Sequence, residues 1–141
     1  MGYCQEDPAR NQCFLCPIMI LYQYKQRDSH IRDRDLKSPR DQEIFQRFKQ
    51  QYGGDFIRLI PEYCLGRKRA DAVGIRKDGK CWVFEIEKKL NYTAIGQALT
   101  YKRLYRDIYK KIPEAVIVCE KSDVTLEKAC KMDAGIQVIL V

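Results

Sequence analysis

The sequence predicts one α/β domain over residues 38–141, preceded by a cysteine-containing N-terminal arm of residues 1–37. Three observations carry this prediction: helical and strand-like segments follow the order α-β-β-β-α-β-α-β, helices separate the last three strands, and a tight turn joins the second strand to the third. Strands separated by helices usually pair in parallel, whereas hairpin strands pair antiparallel. We therefore expect a mixed sheet of about four to five strands flanked by helices.

The first half of the domain contains one helix and the start of the sheet. Ser38 is a suitable cap, Pro39 suits the first helical position and the Gly53-Gly54 pair is a stop signal, so a helix is predicted over 39–52. "DFIRLI" (55–60) is typical of a strand that Pro61 ends, and "GRKR" (66–69) of a loop.

The second half alternates helices with apolar strands. The longest helical pattern covers 93–111, and "EAVIVCE" (114–120) has the composition of a buried strand. A short helix follows, with Asp123 as cap and Gly135 as stop, and "IQVILV" (136–141) closes the sheet.

The turn "RKDGK" (76–80) admits two hairpin loops, one of two residues and one of three residues with Gly79 left-handed. The three-residue loop pairs Arg76 with Lys80 and places Asp71 opposite Glu85. It also places small residues opposite large ones on one buried face, which favours it: Gly74 with Trp82, Ala72 with Phe84, and Ala70 with Ile86.

The other face of this hairpin carries Asp71, Val73, Glu85 and Glu87. Carboxylates so close together repel one another unless a cation lies among them, and Mg²⁺ is typically held by one or two carboxylates, waters and phosphate oxygens. We therefore predict a site for Mg²⁺ or Mn²⁺. The competing interpretation is a solvated strand face whose glutamates form ordinary ion pairs.

Composition favours a polyanionic partner. The 141 residues include 26 Lys and Arg against 19 Asp and Glu, giving a net charge of +7, which favours nucleic acid over a membrane. No apolar run is long enough to span a bilayer, since "FLCPIMILY" (14–22) is short and contains a proline. Seven cysteines, an odd number, argue against a closed secreted disulfide framework, and we expect a cytoplasmic protein without a membrane segment.

Asp71, then Glu85-Ile86-Glu87, then "QALTY" (97–101) on the following helix resemble the PD-(D/E)xK nuclease superfamily, in particular its RecB-like and archaeal Holliday-junction-resolvase-like members. The resemblance covers roughly residues 39–141. It implies a restriction-endonuclease-like core and a Mg²⁺-dependent endo- or exonuclease. It further implies that Asp71 and Glu85 bind the metal, that Glu43 adds a ligand, and that Gln97 and Tyr101 position the substrate or the site.

The sequence departs from the pattern of the superfamily at two positions. Ala70 replaces the proline, which is common among its members, and Glu87 replaces the lysine that helps activate the attacking water. Some restriction endonucleases of the superfamily carry Glu-x-Glu and are active, so the resemblance implies Glu87 as a third carboxylate. Lys102 is another candidate donor, whereas Lys88 should point to the opposite face of the strand unless the strand bends there.

Phosphate contacts are predicted for six basic residues: Arg67, Lys68, Arg69, Lys88, Lys102 and Arg106. DNA rather than RNA as the partner, and a homodimer, rest on the resemblance alone. Two alternatives stay open, a nuclease fold that binds nucleic acid without cleaving it and a protein-interaction module that docks through residues 14–22.

Cys4, Cys13, Cys16 and His30 give the spacing C-x8-C-x2-C-x13-H in the arm. A structural Zn²⁺ site needs four such ligands, and C-x2-C is one half of a zinc knuckle. Zinc, a disulfide and simply buried cysteines remain the three interpretations of this segment.

Overall fold

The computed structural model describes residues 38–141, which form one five-stranded sheet in the order β1-β2-β3-β4-β5. The first three strands pair antiparallel, and β3, β4 and β5 pair in parallel. The predicted mixed sheet is confirmed. The strands are β1 (Phe56–Leu65), β2 (Lys68–Arg76), β3 (Cys81–Lys89), β4 (Glu114–Lys121) and β5 (Ile136–Leu140).

Three helices connect and cover the strands: α1 (Pro39–Tyr52), α2 (Tyr92–Tyr109) and the short α3 (Val124–Ala129). Each begins at a capping side chain: Ser38, Asn91 and Asp123 accept hydrogen bonds from free N–H groups of the first turn. A π-helical turn, Cys130–Ala134, follows α3 and ends at left-handed Gly135. The helix predicted over 39–52 is confirmed.

The sheet has a separate apolar core on each face. On one face α1 buries Ile44, Phe45 and Phe48 against an aromatic group that includes Trp82 and Phe84. On the other face α2 buries a row of alanines and tyrosines, and the hydroxyl groups of Tyr63 and Tyr109 lie 2.6 Å apart. The residues of α2 that face the sheet are Ala94, Ala98, Tyr101, Tyr105 and Tyr109.

The β2–β3 hairpin adopts the three-residue loop. The N–H of Arg76 donates to the carbonyl of Lys80 at 2.9 Å, and Gly79 has φ +86°. The ladder runs from Ile75–Cys81 to Ala72–Phe84, with Gly74 opposite Trp82. The small-against-large pairing thus selects the predicted register.

Two boundaries predicted from the sequence are wrong. β1 continues through Pro61, which pairs with Ala72, to Leu65. The strand lies at the edge of the sheet among the described residues, and an edge strand tolerates the missing N–H of a proline. The "GRKR" segment is not a loop throughout, because Lys68 and Arg69 already belong to β2.

The alternation of side chains between the two faces is interrupted once on each of β1 and β2. Ile60 and Tyr63, three residues apart, both lie in the α2-side core, as do Ala70 and Val73. Left-handed Glu62, with φ +53°, is the residue at which β1 changes face. Ala70 therefore does not share a face with Ile86, which packs on the α1 side, and the predicted pairing of the two is corrected.

Four cysteines of the described region are buried and form no disulfide bond with one another: Cys64, Cys81, Cys119 and Cys130. The predicted zinc ligands of the arm and its boundary at residue 37 lie outside the described residues. Within residues 38–141 no helix is long and apolar enough to cross a membrane.

Candidate nuclease site

Two buried carboxylates lie on neighbouring strands where the β2–β3 ladder ends. Asp71 is 5% exposed and Glu85 is 0% exposed, and they are the buried charged residues of the described chain. Oδ2 of Asp71 accepts the backbone N–H of Ile86 at 2.7 Å. A side chain of β2 therefore bonds to the backbone of β3 two residues beyond Phe84, past the last pair of the ladder, and this bond fixes the position of the carboxylate.

Tyr101 lies on α2 beside this pair. Its side chain is buried, and burial raises the pKa of its phenol well above the ordinary value of 10, with the negative charges of Glu85 and Asp71 adding to the effect. The phenol therefore stays protonated beside the acidic pair.

Gln97 precedes Tyr101 by one helical turn. Its Oε1 is buried and has no hydrogen-bond partner among the residues described. The start of α2 is held against the end of β3 by Asn91, whose Oδ1 accepts from Ala94 N–H at 2.8 Å and whose Nδ2 donates to the carbonyl of Lys89 at 3.0 Å. This cap sets where Gln97 and Tyr101 lie along the sheet.

Glu62 is a further acidic residue near the site that sequence reasoning missed. Its carboxylate pairs with Nε of Arg69 at 2.8 Å, and its charge also raises the pKa of Tyr101. The sequence predicts that the strand ends at Pro61, which would place Glu62 in a loop. A left-handed glutamate has no signature in the local sequence, since this conformation favours glycine and asparagine.

The set of predicted metal ligands is only partly brought together. Glu43 lies on the outer side of α1, 64% exposed, and pairs with Arg40 at 3.4 Å, so the structure does not group it with Asp71 and Glu85. Among residues 38–141 no three His, Cys, Asp or Glu side chains are arranged to hold a metal ion. The remaining pair of carboxylates does fit Mg²⁺, which commonly takes one or two protein carboxylates and completes its shell with waters and phosphate oxygens.

The candidates for the role of the superfamily's lysine lie in different surroundings: Glu87, Lys88 and Lys102. Glu87 is half-buried two residues after Glu85 and so shares its face of β3, while Lys88 is exposed. Nζ of Lys102 lies 3.5 Å from the carbonyl of Gly135, at the start of β5 and two strands away from β3. Lys102 is therefore directed away from the carboxylate pair.

The predicted phosphate-binding residues divide between two ends of the domain. Arg67 and Lys68 are exposed at the β1–β2 turn, at the same end of the sheet as Lys88. Arg69 is held in its ion pair with Glu62. Arg106 is exposed in the last turn of α2, at the far end of that helix from the site.

Comparison with solved structures identifies the fold. A repair endonuclease from Pyrococcus abyssi superposes with a TM-score of 0.61 at 16% identity, over 77% of this chain and 49% of that one. EndoMS in a complex with dsDNA gives 0.60 at 13% identity, over 77% and 47%. EndoMS in the apo form gives 0.54 at 14% identity, over 72% and 45%.

The chain thus has the fold of these endonuclease structures and spans about half the length of each. No protein-family model and no curated protein sequence matches it.

Proposed function

We propose that this protein is a metal-dependent deoxyribonuclease that hydrolyses phosphodiester bonds of DNA. The observation that carries the proposal is the pair of buried carboxylates, Asp71 and Glu85, on adjacent strands of an endonuclease fold. Two buried negative charges are costly unless a cation or strong hydrogen-bond donors compensate them, so a cation is the natural occupant of the space beside them.

Asp71 and Glu85 would hold Mg²⁺ or Mn²⁺. The ion supplies charge neutralisation at the phosphate and lowers the pKa of a water bound to it. The hydrogen bond from the Ile86 N–H orients the Asp71 carboxylate, and the neutral phenol of Tyr101 lies beside Glu85. The Asp71 carboxylate is thereby held in place before the metal binds, which limits its reorganisation on binding.

Glu87 and Gln97 complete the proposed site. Glu87, on the same face of β3 as Glu85, would act as the third carboxylate at the lysine position of the superfamily and accept a proton from the attacking water. Gln97 has a buried side-chain oxygen without a partner among residues 38–141, and it would accept a hydrogen bond from a water or from the substrate.

DNA would approach from the end of the sheet that presents Arg67, Lys68 and Lys88, since these exposed cations lie at the same end as the carboxylates. A structural neighbour described as a complex with dsDNA supports DNA as the substrate. Arg106, at the far end of α2, has no part in this proposal.

Cleavage of labelled duplex, single-stranded, flap and four-way-junction DNA, with an RNA duplex beside them, tests the proposal in Mg²⁺, Mn²⁺ or EDTA. We expect metal-dependent cutting of DNA that Asp71→Asn and Glu85→Gln each reduce by more than about 100-fold, since a metal supplies several kcal/mol of transition-state stabilisation. Asp78→Asn, at the exposed hairpin turn, is the matched control and should cut normally.

A well-folded wild type that binds DNA but cuts none of these substrates contradicts the proposal. It favours a nuclease fold that only binds nucleic acid, an outcome for which Glu87 in place of lysine is the specific reason.

A further inference from the structure

A cavity of about 250 Å³ lies between α1 and the β1–β2 pair, directly beside Asp71. Glu62 and Ile86 also line it, so it borders the carboxylate that the proposed reaction uses and the backbone position that orients that carboxylate. The volume is just below the roughly 300–1,000 Å³ of sites for drug-sized ligands, which fits a single heteroaromatic ring system better than a larger ligand.

The lining combines apolar surface with amide side chains. Phe45, Pro61 and Ile86 supply the apolar atoms, and Gln42 and Gln46 of α1 supply amides that both donate and accept hydrogen bonds. Phe45 is anchored by Phe48 and Phe84, with ring centroids 6.2 and 6.3 Å away. A firmly packed apolar surface bordered by amides is suited to a flat group with hydrogen-bonding edges.

The charges of the lining disfavour an anion. Asp41, Glu62 and Asp71 contribute three carboxylates, and that of Glu62 is compensated by its ion pair with Arg69. Against the other two stands the ammonium group of Lys49, which lies 5.1 Å from the Phe45 ring centroid. A phosphate or carboxylate in the cavity would meet net repulsion. A neutral group whose N–H atoms donate to the carboxylates would be favoured.

We propose that this cavity binds one unpaired nucleobase of the substrate strand, next to the phosphate at Asp71 and Glu85, and prefers bases that carry an exocyclic amino group. Such an amino group donates to a carboxylate or to a glutamine oxygen, whereas thymine offers two carbonyl groups and one imino N–H. The placement of the neighbouring phosphate rests on the proposed nuclease function; the binding of the base does not.

The test is a titration of the ¹⁵N-labelled full chain, in EDTA, with deoxycytidine, deoxyadenosine, deoxyguanosine and thymidine, followed by NMR. These neutral probes carry no phosphate, so binding at the basic surface does not interfere. We expect the side-chain amide signals of Gln42 and Gln46 and the backbone signal of Ile86 to shift. Deoxycytidine should bind about fivefold more tightly than thymidine, the size of one net hydrogen bond.

Matched variants on α1 distinguish this cavity from non-specific stacking. Gln46→Ala should weaken deoxycytidine binding about fivefold, whereas Gln51→Ala, exposed on the same helix and outside the cavity lining, should leave it unchanged. Equal affinity in both variants overturns the proposal. Much tighter binding of deoxycytidine 5′-monophosphate in EDTA, with shifts at the same three residues, also overturns it, because the cavity is then an anion site.

The outcome of the NMR titration can be distinguished from the outcome of the cleavage assay. A chain that cuts DNA while the three signals do not move with any nucleoside overturns the nucleobase cavity and leaves the nuclease proposal standing. A chain that binds deoxycytidine in the cavity but never cuts DNA supports the cavity as the reading surface of a binding protein and overturns the nuclease proposal.

Discussion

Oδ2 of Asp71 accepts the backbone N–H of Ile86 at 2.7 Å, so the carboxylate at the centre of the proposed site also completes the hydrogen bonding between β2 and β3. Both residues are buried, Asp71 at 5% and Ile86 at 2% exposure. The Asp71 side chain therefore contributes both to the stability of the fold and to the proposed chemistry. Substitutions that keep or remove the bond separate these two contributions.

Asp71→Asn should retain the fold, because the amide oxygen still accepts from Ile86, whereas Asp71→Ala leaves a buried N–H without a partner. We expect Asp71→Ala to lose about 1–3 kcal/mol of unfolding free energy, and Asp71→Asn clearly less. Urea denaturation measures both. Equal losses in the two variants would show that the bond to Ile86 contributes little to stability.

Glu87→Ala should reduce the rate of DNA cleavage at saturating metal by about 100-fold, the lower end of the range for general acid–base groups. Glu87→Lys should retain more activity than Glu87→Ala, because it introduces the lysine that is usual at this position in the superfamily that the chain resembles. Glu114→Ala, an exposed glutamate at the other end of the sheet, should leave the single-turnover rate unchanged. Full activity of Glu87→Ala would remove Glu87 from the site.

Tyr101→Phe should lower the unfolding free energy by about 1 kcal/mol near neutral pH, through loss of the polar contact between the neutral phenol and the carboxylates of Glu85 and Asp71. The folded-state pKa of Tyr101 is raised, so the unfolded chain ionises first, above pH of about 10. The stability advantage of wild type over Tyr101→Phe is therefore fully present below that pH and shrinks above it. Tyr92→Phe, at an 81% exposed position, should show no such trend in urea titrations.

Glu120 joins β4 to α1: it accepts from Arg47 at 2.6 Å and from Arg40 at 2.6 and 2.8 Å. The hydrogen bond from Arg47, followed by that from Arg40, lowers the pKa of its carboxyl below the ordinary 4.5. Its contribution to stability is present at neutral pH and is lost as pH falls through the folded-state pKa.

We therefore expect Glu120→Gln to lower the urea midpoint near pH 7 and to show a smaller deficit near pH 3. Glu114→Gln, exposed at the other end of β4, is the control. An equal deficit of Glu120→Gln at both pH values would contradict the ion-pair interpretation.

Arg67→Ala and Lys68→Ala should each weaken DNA binding and reduce the slope of log affinity against log salt by about 1, as expected for the loss of one phosphate contact. Arg103→Ala is the matched control, since Arg103 lies on α2 and pairs with Asp107 at 3.1 Å. Fluorescence anisotropy over a salt series in EDTA measures both. An unchanged slope in the first two variants would place the DNA elsewhere on the surface.

Local signals in the sequence determined several parts of this molecule. The Ser38 cap, Pro39 and the glycine pair defined α1, because these residues act on their own turn of backbone. The left-handed requirement at Gly79 and the size matching of Gly74 with Trp82 determined the hairpin register. That register brings the two buried carboxylates, Asp71 and Glu85, close to the end of the β2–β3 ladder, where the acidic site is proposed.

Other features depended on contacts between residues distant in the chain. The edge position of β1 decides that Pro61 stays within a strand, and left-handed Glu62 reverses the side-chain alternation there. The contact of Lys102 with Gly135 and the cavity beside Asp71 likewise arise only when helices pack on the sheet. The sequence by itself determined most of the elements and the strands that carry the two buried carboxylates, because backbone propensity and hairpin pairing are local. Tertiary packing decided which side chains meet them, because burial and charge pairing depend on the whole fold.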